Sequence, residues 1–190
     1  MDRKNTTLIA ALALAAIALV ALLGCNGRTD RTDGGGVLLS VTQLQLPPTQ
    51  FVLHNLATNP VLPSIPTVTL QNIVKDPSAA STSQLENIEL RSYEVTFTRA
   101  DTGKRVPPPL VASLGGVVPV NGTFNINTLA VIYNNQVDTL PISDIAQFGV
   151  DRETNSTIIV LNVNLRFFGR TLGGQEVQSN TVGFTMEVFQ

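Results

Sequence analysis

The stretch Thr157–Phe168 constrains this chain most. Ile159, Leu161, Val163, Leu165 and Phe167 share one parity, while Asn162, Asn164 and Arg166 share the other. Successive side chains of an extended chain point to opposite faces, so this period of two builds one apolar face and one wet face. A helix of the same residues would scatter its apolar positions around the whole circumference. The stretch is therefore a half-buried β-strand. It needs a sheet around it and a second layer over its apolar face.

From Val37 onward the chain repeats that pattern in short pieces separated by Pro, Gly, Asn and Asp. Val37–Leu46 is the first piece, and Pro47-Pro48 ends it, because proline cannot donate to a ladder. Phe51–Leu56 reads as a short edge strand and Thr67–Lys75 as a further strand. Asp76-Pro77 and the Ser/Ala/Thr residues up to Gln84 form a loop. In Ile88–Arg99, Ile88 and Leu90 have one parity, whereas Tyr93, Val95 and Phe97 have the other. A bulge near Arg91-Ser92 would turn both sets inward.

Asp101-Thr102-Gly103 reads as a turn, and Pro107-Pro108-Pro109 prevents regular pairing just after it. Val117–Val120, Asn121-Gly122 and Thr123–Asn127 together read as a tight hairpin, since Asn-Gly supplies the positive φ angles of a type I′ turn. Leu129–Tyr133 continues the sheet. Ile142–Phe148 is ambiguous, with a helical turn begun by Ser143 as one reading. Gly169–Gln175 turns the chain, and Val182, Phe184, Met186 and Val188 make a last inward face. About seven to nine strands, with turn signals at short intervals, favour an all-β sandwich.

The start of the chain has another character. Met1-Asp2-Arg3-Lys4 is net positive, and Leu8–Leu23 is an unbroken Ala- and Leu-rich run. A basic start followed by an apolar segment reads as an export signal. Spanning a bilayer takes about 20 apolar residues, which this run does not reach, and it ends in Leu22-Leu23-Gly24-Cys25 without a basic stop-transfer cluster.

Those four residues resemble the lipobox of bacterial lipoproteins. The resemblance implies diacylglycerol transfer to the Cys25 sulfur, signal cleavage between Gly24 and Cys25, and acylation of the new amino group, so that lipid on Cys25 is the membrane partner. With each buried methylene contributing about 0.8 kcal/mol, two or three chains on one residue would hold permanently. Asn26 follows the cysteine where an Asp would imply retention at the inner membrane. In a Gram-negative host this favours the outer membrane. Asn26–Gly36 is polar and Gly-rich, the composition of a flexible tether. The expected organisation is a signal peptide over residues 1–24, preceding as a helix, a lipid-anchored tether over 25–36, and a β-sandwich domain over 37–190.

The composition narrows the function classes. Lys+Arg 12 against Asp+Glu 14 gives a net charge of -2, which argues against a nucleic-acid binder with its basic face. Charged residues make up 14% of the chain, against about 25% in ordinary soluble domains. Cys25 is the only cysteine and His54 the only histidine. An intrachain disulfide is therefore impossible, and nearly every zinc-type site is removed. No cofactor is expected.

Individual candidates for chemistry are few. His54, between Leu53 and Asn55, has no Ser-containing elbow motif or second His beside it. Asp144, Asp151 and Glu153 are the nearest approach to a carboxylate cluster, but they lack the alternating spacing and Gly of an EF-hand-like loop. Paired carboxylates for glycoside hydrolysis are set by three-dimensional spacing. The sugar-stacking aromatics such a site uses are scarce, and Phe97, Phe167 and Phe184 fall on apolar faces. Asn121-Gly122-Thr123 and Asn155-Ser156-Thr157 match the glycosylation sequon and read as turns. Gly115-Gly116 and Gly173-Gly174 lack the helix N-terminus of a phosphate loop.

Without Trp or a second Cys there is no antibody-type framework. The layout resembles the immunoglobulin-like or fibronectin-type sandwiches of exported bacterial proteins. Tyr93-Glu94-Val95-Thr96-Phe97-Thr98-Arg99, Phe167-Phe168-Gly169-Arg170 and Gly173-Gly174-Gln175-Glu176-Val177 are similar to a group of such lipoproteins, a resemblance that implies no activity. The expectation is a non-enzymatic, lipid-anchored structural or protein-interaction module of the cell envelope. Its partner would be an envelope protein or glycan, with no nucleic acid involved. The rivals are a glycan- or calcium-binding envelope module and an envelope hydrolase.

Overall fold

The computed structural model describes residues 36–46, 49–53, 62–76 and 83–190. Gly24, Cys25, the tether before Gly36, Pro47-Pro48 and His54 lie outside the described residues. Among those described, nine strands form two sheets. The smaller holds β1 (Val37–Gln45), β3 (Ser64–Val74) and β6 (Thr123–Ala130) in the order β1-β3-β6. The larger runs β2 (Gln50–Val52), β9 (Val182–Phe189), β7 (Ile158–Thr171), β4 (Ile88–Arg99) and β5 (Leu110–Val118), and β8 (Glu176–Gln178) pairs with the far end of β7. Neighbours are antiparallel except β2, which runs parallel to β9. The fold is mostly β and sandwich-like.

Alternation drives the packing. Ile159, Leu161, Val163, Leu165 and Phe167 of β7 are all buried, as their parity requires, and they meet Ile65, Val68 and Leu70 of β3 in one apolar core. Each such side chain contributes about 1.5–3 kcal/mol on burial. The opposite parities carry Thr and Asn hydrogen-bonding groups beside a few charges such as Glu94 and Arg166. Thr185 Oγ1 donates to Asn162 Oδ1 across β9 and β7, and Thr69 Oγ1 to Asn125 Oδ1 across β3 and β6.

The bulge expected near Arg91 is present, and it spreads across three strands. Between the same two rungs β7 advances one residue (Gly169 to Phe168), β4 two (Leu90 to Ser92) and β5 three (Gly116 to Ser113). The extra residue in β4 lets Ile88 and Leu90 face inward together with Tyr93, Val95 and Phe97. On β7 the approach is close. A Cβ on Gly169 would lie 2.7 Å from the Glu89 carbonyl oxygen.

Two local readings are corrected. Val117–Val120 and Thr123–Asn127 do not form a hairpin, because β5 and β6 belong to different sheets. Val118 and Ile126 are both buried, and the Phe124 ring packs over Gly116, so the two strands face each other across the core. Gly122 N–H donates to the Pro119 carbonyl at 2.9 Å, closing a turn in which only Asn121 has positive φ (55°). A type I′ turn would need it at both central residues. The crossing is held by Val120 N–H on Asn87 Oδ1 and Asn72 N–H on the Gly122 carbonyl.

The connection from β6 to β7 contains two short helices, α1 (Asn134–Val137) and α2 (Ile142–Phe148). Helix α2 starts at Ile142, after Pro141, so Ser143 lies inside its first turn. Ile142 and Ile145 are buried one turn apart, and Gly149, at φ 73°, ends the helix by donating to the Ile145 carbonyl. That three-residue spacing settles the ambiguity in favour of helix, since in a strand the two would face opposite ways.

Candidate functional site

Parity continues past the apolar part of β4. Tyr93, Val95 and Phe97 point inward, so Arg99 does too, and its side chain is only 2% exposed. A buried guanidinium must be paired. Its Nε donates to Asp101 Oδ1 at 2.6 Å, and its Nη2 donates both to Asp101 Oδ2 and to Asp151 Oδ2 at 2.8 Å. Nη1 donates to the Arg105 carbonyl. Gly103 lies so near the guanidinium that a Cβ there would collide with it.

Both carboxylates collect further donors. Gly103 N–H and Val160 N–H donate to Asp101, while Glu153 N–H and the Thr154 hydroxyl donate to Asp151. Burial pushes the Asp101 and Asp151 carboxyls up, but the Arg99 guanidinium and these donors outweigh it and hold both below the ordinary carboxylate range. Arg99 is raised in turn: burial works against its charge, and the two carboxylates prevail.

The three carboxylates singled out in the sequence therefore do not converge. Asp151 is buried on Arg99, whereas Glu153 is exposed and its Oε2 accepts from Arg105 N–H. Arg105 N–H, with the neighbouring Lys104 N–H, lowers the Glu153 carboxyl. Asp144, on α2, accepts from Arg152 Nε at 2.8 Å through Oδ1, and Arg152 in turn lies over the Phe148 ring. Asp144 Oδ2 is buried without a hydrogen-bond partner, the Arg105 guanidinium standing 4.0 Å away. Among the described residues no group of three His, Cys, Asp or Glu is placed to hold a metal ion. Arg99, which sequence reasoning passed over, is the centre of this node. Its inward parity was the available signal.

Two shallow cavities lie on the outer face of the larger sheet. One of about 240 Å³ is lined by Glu94, Thr96, Asn164 and Arg166, and one of about 340 Å³ by Thr98, Asn162, Asn164, Gly183 and Thr185. Neither involves Asp144, Asp151 or Glu153. Phe97 and Phe167 are buried in the core and Phe184 packs against it. Asn121 and Asn155 both sit at positive φ in turns, and Gly115-Gly116 lies within β5. Gly174, at φ 95°, lies in the turn between β7 and β8.

The sheet edges differ in how they are closed. Along β1, Val41 N–H donates to Asn180 Oδ1 and Leu39 bridges to Ser179. On the opposite flank β5 pairs with β4 alone and β6 with β3 alone among the described strands. No charged residue occurs from Val106 to Val137, a span that contains both strands. On β5, Val111 is 66% and Val117 44% exposed. Natural sheets usually guard such edges with lysine, proline or inward charge. Two open edges side by side without a charge make this flank the candidate interaction site. The charge gap was legible in the sequence, but the adjacency of its two strands was not.

No protein-family model, curated protein or solved structure matches the chain.

Proposed function

We propose that this chain is a cell-envelope lipoprotein, anchored through lipid on Cys25, whose sandwich acts as a non-enzymatic structural or protein-interaction module. In a Gram-negative host the outer membrane is its place. The observation that carries the interaction role is the charge-free flank of β5 and β6. Open strand edges offer unpaired N–H and C=O groups, and an extended segment can add to them. Asp101 and Asp151 are taken up by Arg99 and by backbone and hydroxyl donors, an arrangement that serves the structure of the sandwich.

The sandwich is of immunoglobulin-like or fibronectin type on this proposal. Lettered in that scheme, β1, β3 and β6 take the places of A, B and E, and β4, β7 and β9 those of C, F and G,. The anchor is tested by mass spectrometry of the mature N-terminus beside a Cys25→Ser variant. An unmodified Cys25 still joined to Gly24 in the membrane fraction overturns it. The interaction role is tested by crosslinking in cells from positions on β5. Recovery of the chain without any protein attached overturns that role.

A second reading rests on the outer-face groove. Thr98, Asn162, Asn164 and Thr185 form an uncharged hydrogen-bonding surface over Gly183, suited to a neutral glycan. Titration with envelope oligosaccharides, compared with Gly183→Val, separates this reading from the first. Equal binding by both proteins sinks the groove.

A further inference from the structure

The open edge of β5 is not uniform along its length. From Leu110 to Leu114 the strand is Leu-Val-Ala-Ser-Leu, without charge or proline. Its alternation is regular: Leu110 is buried, Ala112 and Leu114 are half-buried, and Val111 and Ser113 are exposed. Beyond Ser113 the register with β4 shifts, Leu114 and Gly115 standing against Arg91 alone, and Gly116 has φ 154°. Bulges of this kind turn an edge away from pairing. The first half of β5 is thus open, and the second is guarded.

We infer that β5 pairs with β5 of a second copy, antiparallel about a two-fold axis through Ala112, joining two of the larger sheets into one. This rests on the interaction-module reading above. In that register Leu110 of each copy stands opposite Leu114 of the other, with the small Ala112 residues meeting at the axis. Val111 of each stands opposite Ser113 of the other on the outer face. The pairing covers Leu114, which a single copy leaves half-exposed at the sheet edge. Like charges placed opposite each other across a pair are destabilising, and the absence of any charge from Val106 to Val137 removes that penalty for a strand meeting itself. A two-fold contact uses the same patch on both copies and closes as a dimer. Lipid anchoring of both copies to one surface raises their effective concentration.

The test uses the full chain extracted from membranes in a mild detergent. The expected result is a dimer by light scattering, and at least a tenfold weaker one for Val111→Lys and for Ser113→Lys, each with an unchanged thermal melt. The double variant Val111→Cys/Ser113→Cys should crosslink under mild oxidation in cells to twice the monomer mass. Either cysteine alone should crosslink far less, because only the 111–113 pairs are directly opposed. A monomeric wild type, or a dimer that both lysine variants leave intact, overturns the inference. Crosslinking of the double variant to a different protein overturns self-pairing and leaves the interaction-module reading standing.

Discussion

Arg99 binds two carboxylates at once, and its environment sets what each is worth. Its side chain is 2% exposed and that of Asp151 is 0%, so neither can fall back on water. Breaking a buried pair by removing one partner costs about 3–5 kcal/mol, because it leaves a buried charge uncompensated. Arg99→Met is expected to cost that much in urea unfolding. The pH dependence has a definite sign. Asp101 and Asp151 are lowered in the folded state from their ordinary 3.8, so the unfolded chain takes up protons first as pH falls. Their stabilisation is complete above that range and is lost as pH drops below 3.8 through the lower folded values. The urea midpoint should fall steeply with acid in that window, and less steeply in Asp151→Asn, which has one site fewer. An equal slope in both proteins would remove Asp151 from the account. Gly169 is a residue-scale constraint of another kind. A methyl group 2.7 Å from a backbone oxygen cannot be relieved by a rotamer change, so Gly169→Ala should lower the melting temperature, whereas Ala at the open Gly115 should not.

At the scale of elements, the bulge through β4 decides which side chains reach the core. Arg91 is the residue that restores parity between Leu90 and Tyr93. Its side chain is exposed and makes only loose ion pairs, at 3.8 Å to Glu89 and 3.7 Å to Glu176. Exposed pairs of this kind contribute little. Arg91→Ala is therefore expected to change stability by no more than about 0.5 kcal/mol. Deleting Arg91 should turn Ile88 and Leu90 outward, forfeiting about 1.5–3 kcal/mol for each. Chemical denaturation of the two variants separates the residue's side chain from its place in the count. This element was readable beforehand, because a parity shift inside one strand leaves few other ways to bury both apolar sets. The β5–β6 connection was not. Asn-Gly reports a local backbone preference, whereas the choice between a hairpin and a crossing depends on which sheet each strand joins. That choice is made by Val118, Phe124 and Ile126 packing across the core.

Across the whole molecule, the two sheets are joined by apolar contact and by a few directed bonds. Tyr93 on β4 donates its hydroxyl to the Ala130 carbonyl on β6 at 3.0 Å, while its ring packs 6.3 Å from that of Phe167. Tyr93→Phe keeps the ring and leaves the carbonyl short of a partner. It should cost about 1–3 kcal/mol, without loss of cooperativity in the unfolding transition. A larger loss would mean that the hydroxyl does more than join the sheets. The low charge of the chain, 14%, also becomes intelligible at this scale, because Thr–Asn pairs stand on both outer faces and only a few charged residues such as Glu94 and Arg166 stand beside them. By itself the sequence determined the β class, most of the strands, the bulge at Arg91 and the inward faces, since a period of two is a local property that any sheet must obey. Only the tertiary structure decided the pairing order, the crossing at Asn121-Gly122 and the burial of Arg99 between Asp101 and Asp151. It also placed the charge-free edges of β5 and β6 together on one flank. Those features depend on which distant segments meet, and the energy that selects them lies in contacts between strands, where no local pattern records it.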